Sequence, residues 1–145
     1  MKRIMHATDF SPASRAAFAR AVHEAKSHHA ELTLVHVLSP VLGFAGDGYI
    51  SPSTYEALAR STRAWAQKKL DALLAKAKGE RVRVRGLLVD GVAHEQIAKA
   101  AKSKKADLLV VGTHGRTGVA RFFVGSVAGR VVATAPCPVL TVRGK

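Results

Sequence analysis

Apolar residues in this chain fall into short, near-continuous runs. Between the runs, apolar side chains recur every three or four positions. The first run, about Lys2 to Ala7, predicts a strand. Ser11-Pro12 then supplies a capping hydroxyl followed by a proline suited to the first helical position, so a helix is expected to about His28. Phe18, Val22 and Ala25 lie on its apolar side. Leu32 to Leu38 is almost wholly apolar, as in a strand covered on both faces. Residues 39 to 51 carry Gly43, Gly46 and Gly48 and predict a loop, either a lid or a mobile connection. A second helix, about Ser53 to Lys78, aligns Tyr55, Leu58, Thr62, Ala66, Leu70, Leu73 and Ala77 on one face, with Trp65 beside them, and core packing is the expected use of that stripe. Arg81-Val82-Arg83-Val84-Arg85 alternates with period two, which predicts an edge strand with arginines on one face and valines on the other, charged against edge-to-edge pairing, with an arginine comb for a polyanion as the alternative use. After Asp90-Gly91 a third helix is expected from about Val92 to Ser103, then a strand from Asp107 to Val111, a helix from Ser126 to Thr134, and a last strand from Pro138 to Val142. Strand and helix alternate throughout. The fold class is therefore α/β with a mostly parallel sheet, and right-handed crossovers make it a three-layer α/β/α sandwich.

A chain of 145 residues suits one domain, 1–145. No apolar run approaches the 18 residues of a membrane span, and Met1 to Ile4 lead straight into a strand without a signal-peptide core. The single cysteine permits no internal disulfide, which suits a reducing cytosol, so a cytoplasmic location is expected. Cys137, between Pro136 and Pro138, is expected to be a packed small apolar residue. The formal net charge is +13, and the excess is uneven. Residues 60 to 85 oppose nine basic side chains only with Asp71 and Glu80, and Lys99, Lys102, Lys104 and Lys105 form a second cluster. Such a field attracts polyanions; it also keeps a helix face solvated. With no nucleic-acid-binding motif and only 6% aromatic residues, the solvated face is the favoured reading over a nucleic-acid partner.

The candidate chemistry lies in Val111-Gly112-Thr113-His114-Gly115-Arg116-Thr117-Gly118, followed by Gly125-Ser126-Val127. An apolar strand runs into a glycine-rich turn that leads to a helix start. Glycine lets backbone approach a ligand closely, and the unpaired N–H groups of such a turn and helix start favour phosphate. A nucleotide is the expected ligand, with Arg116 and Arg121 able to add charge-assisted bonds and His114 either a phosphate donor or a structural loop histidine. The spacing matches neither the P-loop nor the dinucleotide fingerprint. Asp9, after the first strand, can accept hydrogen bonds from ribose hydroxyls, can cap the first helix, or can do both. Catalytic residues are not assigned. His94-Glu95-Gln96-Ile97-Ala98 lacks the second histidine of a zinc-protease helix, and neither a nucleophile triad nor a carboxylate pair is evident.

The order Gly112, Gly115, Gly125-Ser126 resembles the nucleotide-binding branch of the universal stress protein family. So do Arg3 to Ser11, Leu32 to Val37 with its closing His36-Val37, Gly91 to Ile97, and Cys137 to Val142. The resemblance covers essentially the whole chain. It implies a five-stranded parallel sheet in the order 3-2-1-4-5, the adenine nucleotide alpha hydrolase-like arrangement, with Asp9 and Gly112 meeting between strands one and four. It further implies ATP or another adenine nucleotide at Ala7, Thr8, Asp9, Val37, Val111, Gly112, Thr113, His114, Gly115, Arg116, Gly125, Ser126 and Val127, with the Val37 backbone reading the base and Mg²⁺ accompanying the phosphates. A stress-response regulator is the expected role. Slow ATP hydrolysis, or self-phosphorylation on Ser126 or Thr113, is the enzymatic alternative. A homodimer through Pro138 to Val142 is implied as well. One departure is Ala7, where the family's nucleotide binders often carry proline; it removes a rigid wall near the base.

Overall fold

The computed structural model describes residues 1–39, 44–45, 48–113 and 126–144. Its central sheet holds five parallel strands: β1 (Arg3–Ala7), β2 (Glu31–Leu38), β5 (Val84–Asp90), β6 (Leu108–Thr113) and β7 (Val139–Arg143). Their spatial order is β5-β2-β1-β6-β7, the 3-2-1-4-5 arrangement expected when the large-sheet strands are numbered along the chain. Helices α1 (Pro12–His28) and α2 (Pro52–Gly79) cover one face, and α3 (Ala93–Ser103) and α4 (Ser126–Thr134) cover the other. Each layer has its own core. Ile4, Phe18, Leu32, Leu34 and Leu70 pack on the α1/α2 side, and Met5, Val35, Ile97, Leu109 and Val131 on the α3/α4 side. Parallel strands covered on both faces need apolar residues in both directions, which is why β1, β2 and β6 lack polar alternation.

Helix α1 begins and ends where the sequence requires. Ser11 Oγ accepts from the Ser14 N–H at 3.2 Å, Pro12 follows, and His29 closes the helix in the left-handed region. Cys137 is half-buried against the α3/α4 core, and burial, with a smaller contribution from the Asp107 charge, pushes its thiol up, as expected of a packed residue.

Three expectations need correction. The third large-sheet strand starts at Val84, not Arg81. Arg81 sits at φ 63°, and the Val82 N–H donates back to the Ala77 carbonyl at 3.2 Å. The first part of the alternating arginine run is thus the exit turn of α2. The segment 39–51 contains a short antiparallel pair, β3 (Phe44–Ala45) with β4 (Gly48–Tyr49); Pro40–Gly43 and Gly46–Asp47 lie outside the described residues. Finally, the apolar stripe of α2 is core only in its second half. Ala66, Leu70 and Ala77 are buried, whereas Tyr55, Leu58 and Trp65 are 37%, 44% and 50% exposed. Length explains this. The 28 residues of α2 span about 42 Å at helical rise. The seven residues of β5 beneath it span only about 23 Å. The first half of α2 therefore overhangs the carboxyl end of the sheet.

Candidate functional site

Register brings the candidate residues together. Ala7 pairs with Val35 on one side and Val111 on the other, so the three form one row across the carboxyl end of the sheet. Just past that row the chain leaves β1 through Thr8 and Asp9, β2 continues to His36 and Val37, and β6 reaches Gly112 and Thr113. A cavity of about 470 Å³ opens there, a size typical of small-molecule sites. Ala7, Thr8, Asp9, Val37, Val111, Gly112 and Val127 all line it. Thr113 is the last residue of β6 and Ser126 the first of α4. His114, Gly115, Arg116, Arg121 and Gly125 lie outside the described residues.

Val35, Val37, Ile97, Val111 and Val131 give the cavity an apolar lining, the buried Ser14 adds a hydroxyl, and Asp9, Ser11, His36, Ser39 and Thr62 add polar groups that are not buried. Residues near the starts of α1 (Ala13), α3 (Ala93) and α4 (Val127) all touch the cavity. Three sets of helix-start N–H groups, each with partial positive charge, thus border one space. Neither α1 nor α4 carries an acidic residue in its first turn; α3 carries Glu95 there, and its N-cap, Val92, makes no side-chain capping bond. The site therefore has electropositive edges around an apolar interior.

Gly112 has a local reason to be glycine. A Cβ there would lie 2.7 Å from the carbonyl oxygen of Ala13. The first turn of α1 is laid against β6 there, and both Ala13 and Gly112 line the cavity.

The turn after β1 is built by its own side chains. The Thr8 hydroxyl accepts from the Phe10 N–H at 3.0 Å and from the Ser14 hydroxyl at 2.8 Å, and so holds the turn. Asp9 Oδ1 accepts from the Ser11 N–H at 2.9 Å, the capping role weighed from sequence. An ionised carboxylate has roughly four acceptor sites, so Asp9, which is exposed, keeps acceptor capacity on the rim. Phe10 is held at φ 64°, a left-handed conformation uncommon for a bulky residue. That turn drives its ring against His36, with centroids 4.5 Å apart, and edge-on to Trp65 at 5.6 Å.

His36 was not singled out for a role from the sequence. Its Nδ1–H donates to the Thr8 carbonyl at 2.7 Å, which leaves Nε2 as an acceptor in the neutral ring. Its position beside Val37 at the end of β2 was a usable signal. The participation of Ile97 from α3 and Thr62 from the overhanging half of α2 depends on contacts that no local pattern encodes. Among the described residues no group of three or more His, Cys, Asp or Glu side chains could hold a metal ion.

The model of the universal stress protein family matches residues 1–143. A universal stress protein of Thermus aquaticus, from the QAH/OAS sulfhydrylase 3' region, is 38% identical over 142 residues, covering 98% of each chain. Universal stress protein MJ0531 of Methanocaldococcus jannaschii is 35% identical over 98% of this chain and 82% of its own length. Among solved structures, the universal stress protein UspA from Lactobacillus plantarum superposes with a TM-score of 0.78 at 28% identity, over 98% of this chain and 97% of that one. A universal stress protein in complex with cAMP superposes with a TM-score of 0.72 at 25% identity, over 99% and 98%.

Proposed function

The chain belongs to the universal stress protein family, and on that premise we propose that it is a regulator that binds an adenine nucleotide in the cavity at the carboxyl end of its sheet. The observation that carries this reading is the convergence of the starts of α1, α3 and α4 on one apolar cavity of about 470 Å³ that Asp9 and Gly112 also line. The cAMP-bound relative supports the choice of ligand class.

In this reading the Val37 backbone N–H and C=O meet the edge of the base, and Val35, Val111 and Ile97 exclude water from its faces. Ala7 gives the base more room than a proline would. Asp9 accepts from the ribose hydroxyls while Oδ1 continues to cap α1. Thr8 fixes the turn that aims Asp9. Gly112, Thr113 and Val127 offer backbone at the phosphate end, with Ser126 at the helix start and His114, Gly115, Arg116 and Gly125 completing the loop. Mg²⁺ arrives with the phosphates of ATP rather than in a carboxylate cage of the protein. Ordering of the loop by the nucleotide changes a surface that a partner reads. The protein acts in the cytoplasm, and the edge strand β7 pairs with its copy in a homodimer.

The test is calorimetry with ATP and Mg²⁺, and with AMP, at a hundred-micromolar protein concentration, together with mass spectrometry of the denatured protein for co-purified nucleotide. Heat of binding that falls at least tenfold in affinity for Asp9→Ala is expected. Absence of heat with both nucleotides, in protein shown to be nucleotide-free, refutes the reading. Light scattering decides the dimer: a mass near 15.4 kDa rejects it.

A further inference from the structure

We propose that the face opposite the cavity, where the strands begin and the helices end, is a docking surface for the phosphate backbone of duplex nucleic acid. The inference is independent of the nucleotide site. Helices α1, α2 and α3 all finish at this face and pass through tight turns into the next strand; the Ala30 N–H donates to Ala25, Val82 to Ala77 and Ala106 to Ala101. Lys26, Lys78 and Lys102 in the last turns offset the negative helix ends. The cations do not stop there. Arg81 and Arg83 precede β5, Lys104 and Lys105 precede β6, and Lys2 and Arg3 open β1, all of them exposed.

Backbone bonds hold these segments side by side. The Leu32 N–H donates to the Arg83 carbonyl at 2.8 Å, Glu31 to Lys2 at 2.9 Å, and Asp107 to Arg3 at 2.8 Å. Each carboxylate on this face is already engaged. Glu80 pairs with Lys26 at 2.9 Å and Glu31 with Arg85 at 3.2 Å, while Asp107 accepts from the N–H groups of Lys2 and Arg3. Among the described residues, Arg81, Arg83, Lys104 and Lys105 enter no ion pair, so their charge faces solvent uncompensated.

The surface is also shaped. A groove of about 640 Å³ runs between Lys26, His29, Arg81 and Arg83 on the α1/α2 side. A smaller cleft on the other side of the sheet gathers Arg3, Arg85 and Lys104. From β5 to β6 the row is three strand spacings wide, about 14 Å. A duplex carries about one phosphate charge per 1.7 Å of its axis, so several phosphates fall within reach together.

Membrane-binding surfaces combine cations with exposed apolar side chains. Among the described residues, Met1 is the one exposed large apolar side chain beside these cations, whereas Tyr55, Leu58, Trp65, Val92, Val127 and Val132 stand on the overhanging half of α2, at the start of α3 or on α4. No Phe, Tyr or Trp lies among the basic positions, so contact is with backbone and carries no sequence readout. The fold also divides the basic stretch at 60 to 85. Arg63 pairs with Asp90 and Lys69 lies over the Trp65 ring on α2, while residues 76 to 83 join the ends of other elements.

Fluorescence anisotropy of a labelled 20-base-pair duplex, titrated with the full chain across potassium chloride concentrations, tests the proposal. The expected slope of log K against log salt is about −3 to −5. The triple variant Arg81→Glu/Arg83→Glu/Lys104→Glu is expected to lose at least tenfold in affinity at 50 mM salt and to flatten the slope by about 2 to 3. The charge-matched control Arg60→Glu/Lys68→Glu/Lys69→Glu is expected to stay within about twofold of the parent. The single variant Arg83→Gln, which leaves the turns intact, is expected to flatten the slope by about 1. Equal weakening by both triple variants overturns the proposal, since net charge alone would then account for binding. No anisotropy change at 50 mM salt overturns it too, as does retention on phosphatidylserine vesicles without retention on the duplex.

Discussion

His6 makes folding stability depend on pH in a way that can be worked out in advance. It lies in the middle of β1, fully buried, with its Nδ1–H donating to the Val110 carbonyl at 3.0 Å and its Nε2 left without a partner. Burial lowers its pKa from 6.5 to about 4, against weaker opposing effects from the Val110 carbonyl, Asp9 and Ser14. The folded protein therefore holds the ring neutral, while the unfolded chain takes up a proton below about pH 6.5. Below that pH the unfolded state binds more protons, so stability falls as pH falls. The contribution is complete above the unfolded pKa, declines between pH 6.5 and about 4, and levels off below the folded pKa. At about 1.4 kcal/mol per pKa unit the whole effect is roughly 3 kcal/mol, of which about 2 kcal/mol is lost between pH 7.5 and pH 5. Urea unfolding at 25 °C across that range measures it, with His6→Leu and His6→Gln as references; Gln keeps a donor for Val110. All other titrating groups are common to the three proteins, so the wild type is expected to lose about 2 kcal/mol more than either variant on acidification. Parallel pH profiles for the three proteins would refute the reasoning, because His6 would then bind a proton equally in both states.

Gly112→Ala forces a Cβ to within 2.7 Å of a backbone oxygen that no rotamer change can move; a loss of about 1–3 kcal/mol is expected from thermal melts, and an unchanged melt shows that α1 does not press on β6 there. Trp65, the only tryptophan, stands edge-on to Phe10, whose ring meets the cavity-lining His36. Its emission is expected to shift on AMP addition and to shift without ligand in Phe10→Ala; constant emission in both experiments removes the aromatic cluster from the site. Phe10→Gly relieves the left-handed strain while deleting the ring, so by equilibrium unfolding it is expected to be less destabilising than Phe10→Ala by about 1 kcal/mol. A reversed order of the two variants contradicts the strain.

Local chemistry made much of the fold legible. Ser11-Pro12 fixed the start of α1 because a capping hydroxyl and a proline act within one turn. The near-continuous apolar runs marked β2 and β6 because both faces of those strands are covered. Arg81 misled because alternation is also what a left-handed exit turn followed by an extended residue produces; the Val82–Ala77 hydrogen bond that distinguishes them is not written in side-chain pattern. The helical period likewise marks which side of α2 is apolar but not where the sheet beneath it ends, so Tyr55 and Leu58 look like core from sequence. Asp9, Val37 and Gly112, marked in the sequence by their places at the ends of apolar runs, all line the cavity. Phe10 and Thr62 were not so marked, since their roles arise from segments that meet only in the folded chain, and His36 was passed over although it stands beside Val37. The need for glycine at 112 was assigned to a ligand, whereas the Ala13 carbonyl supplies an equally physical reason.

The overhang of α2 has a consequence for hydrogen exchange. No residue of this helix before Ala66 is buried; the turns before Thr62 rest mainly on their own amide bonds and the Ser51 cap, with the Arg63–Asp90 pair and the Trp65–Phe10 contact lying beyond them. Such a segment opens by sub-global unfolding well below the global free energy, while amides near Leu70 and Ala77 wait for the whole sandwich. Deuterium should therefore enter around Tyr55 to Thr62 first. Thr62 brings that early exchange to the wall of the cavity.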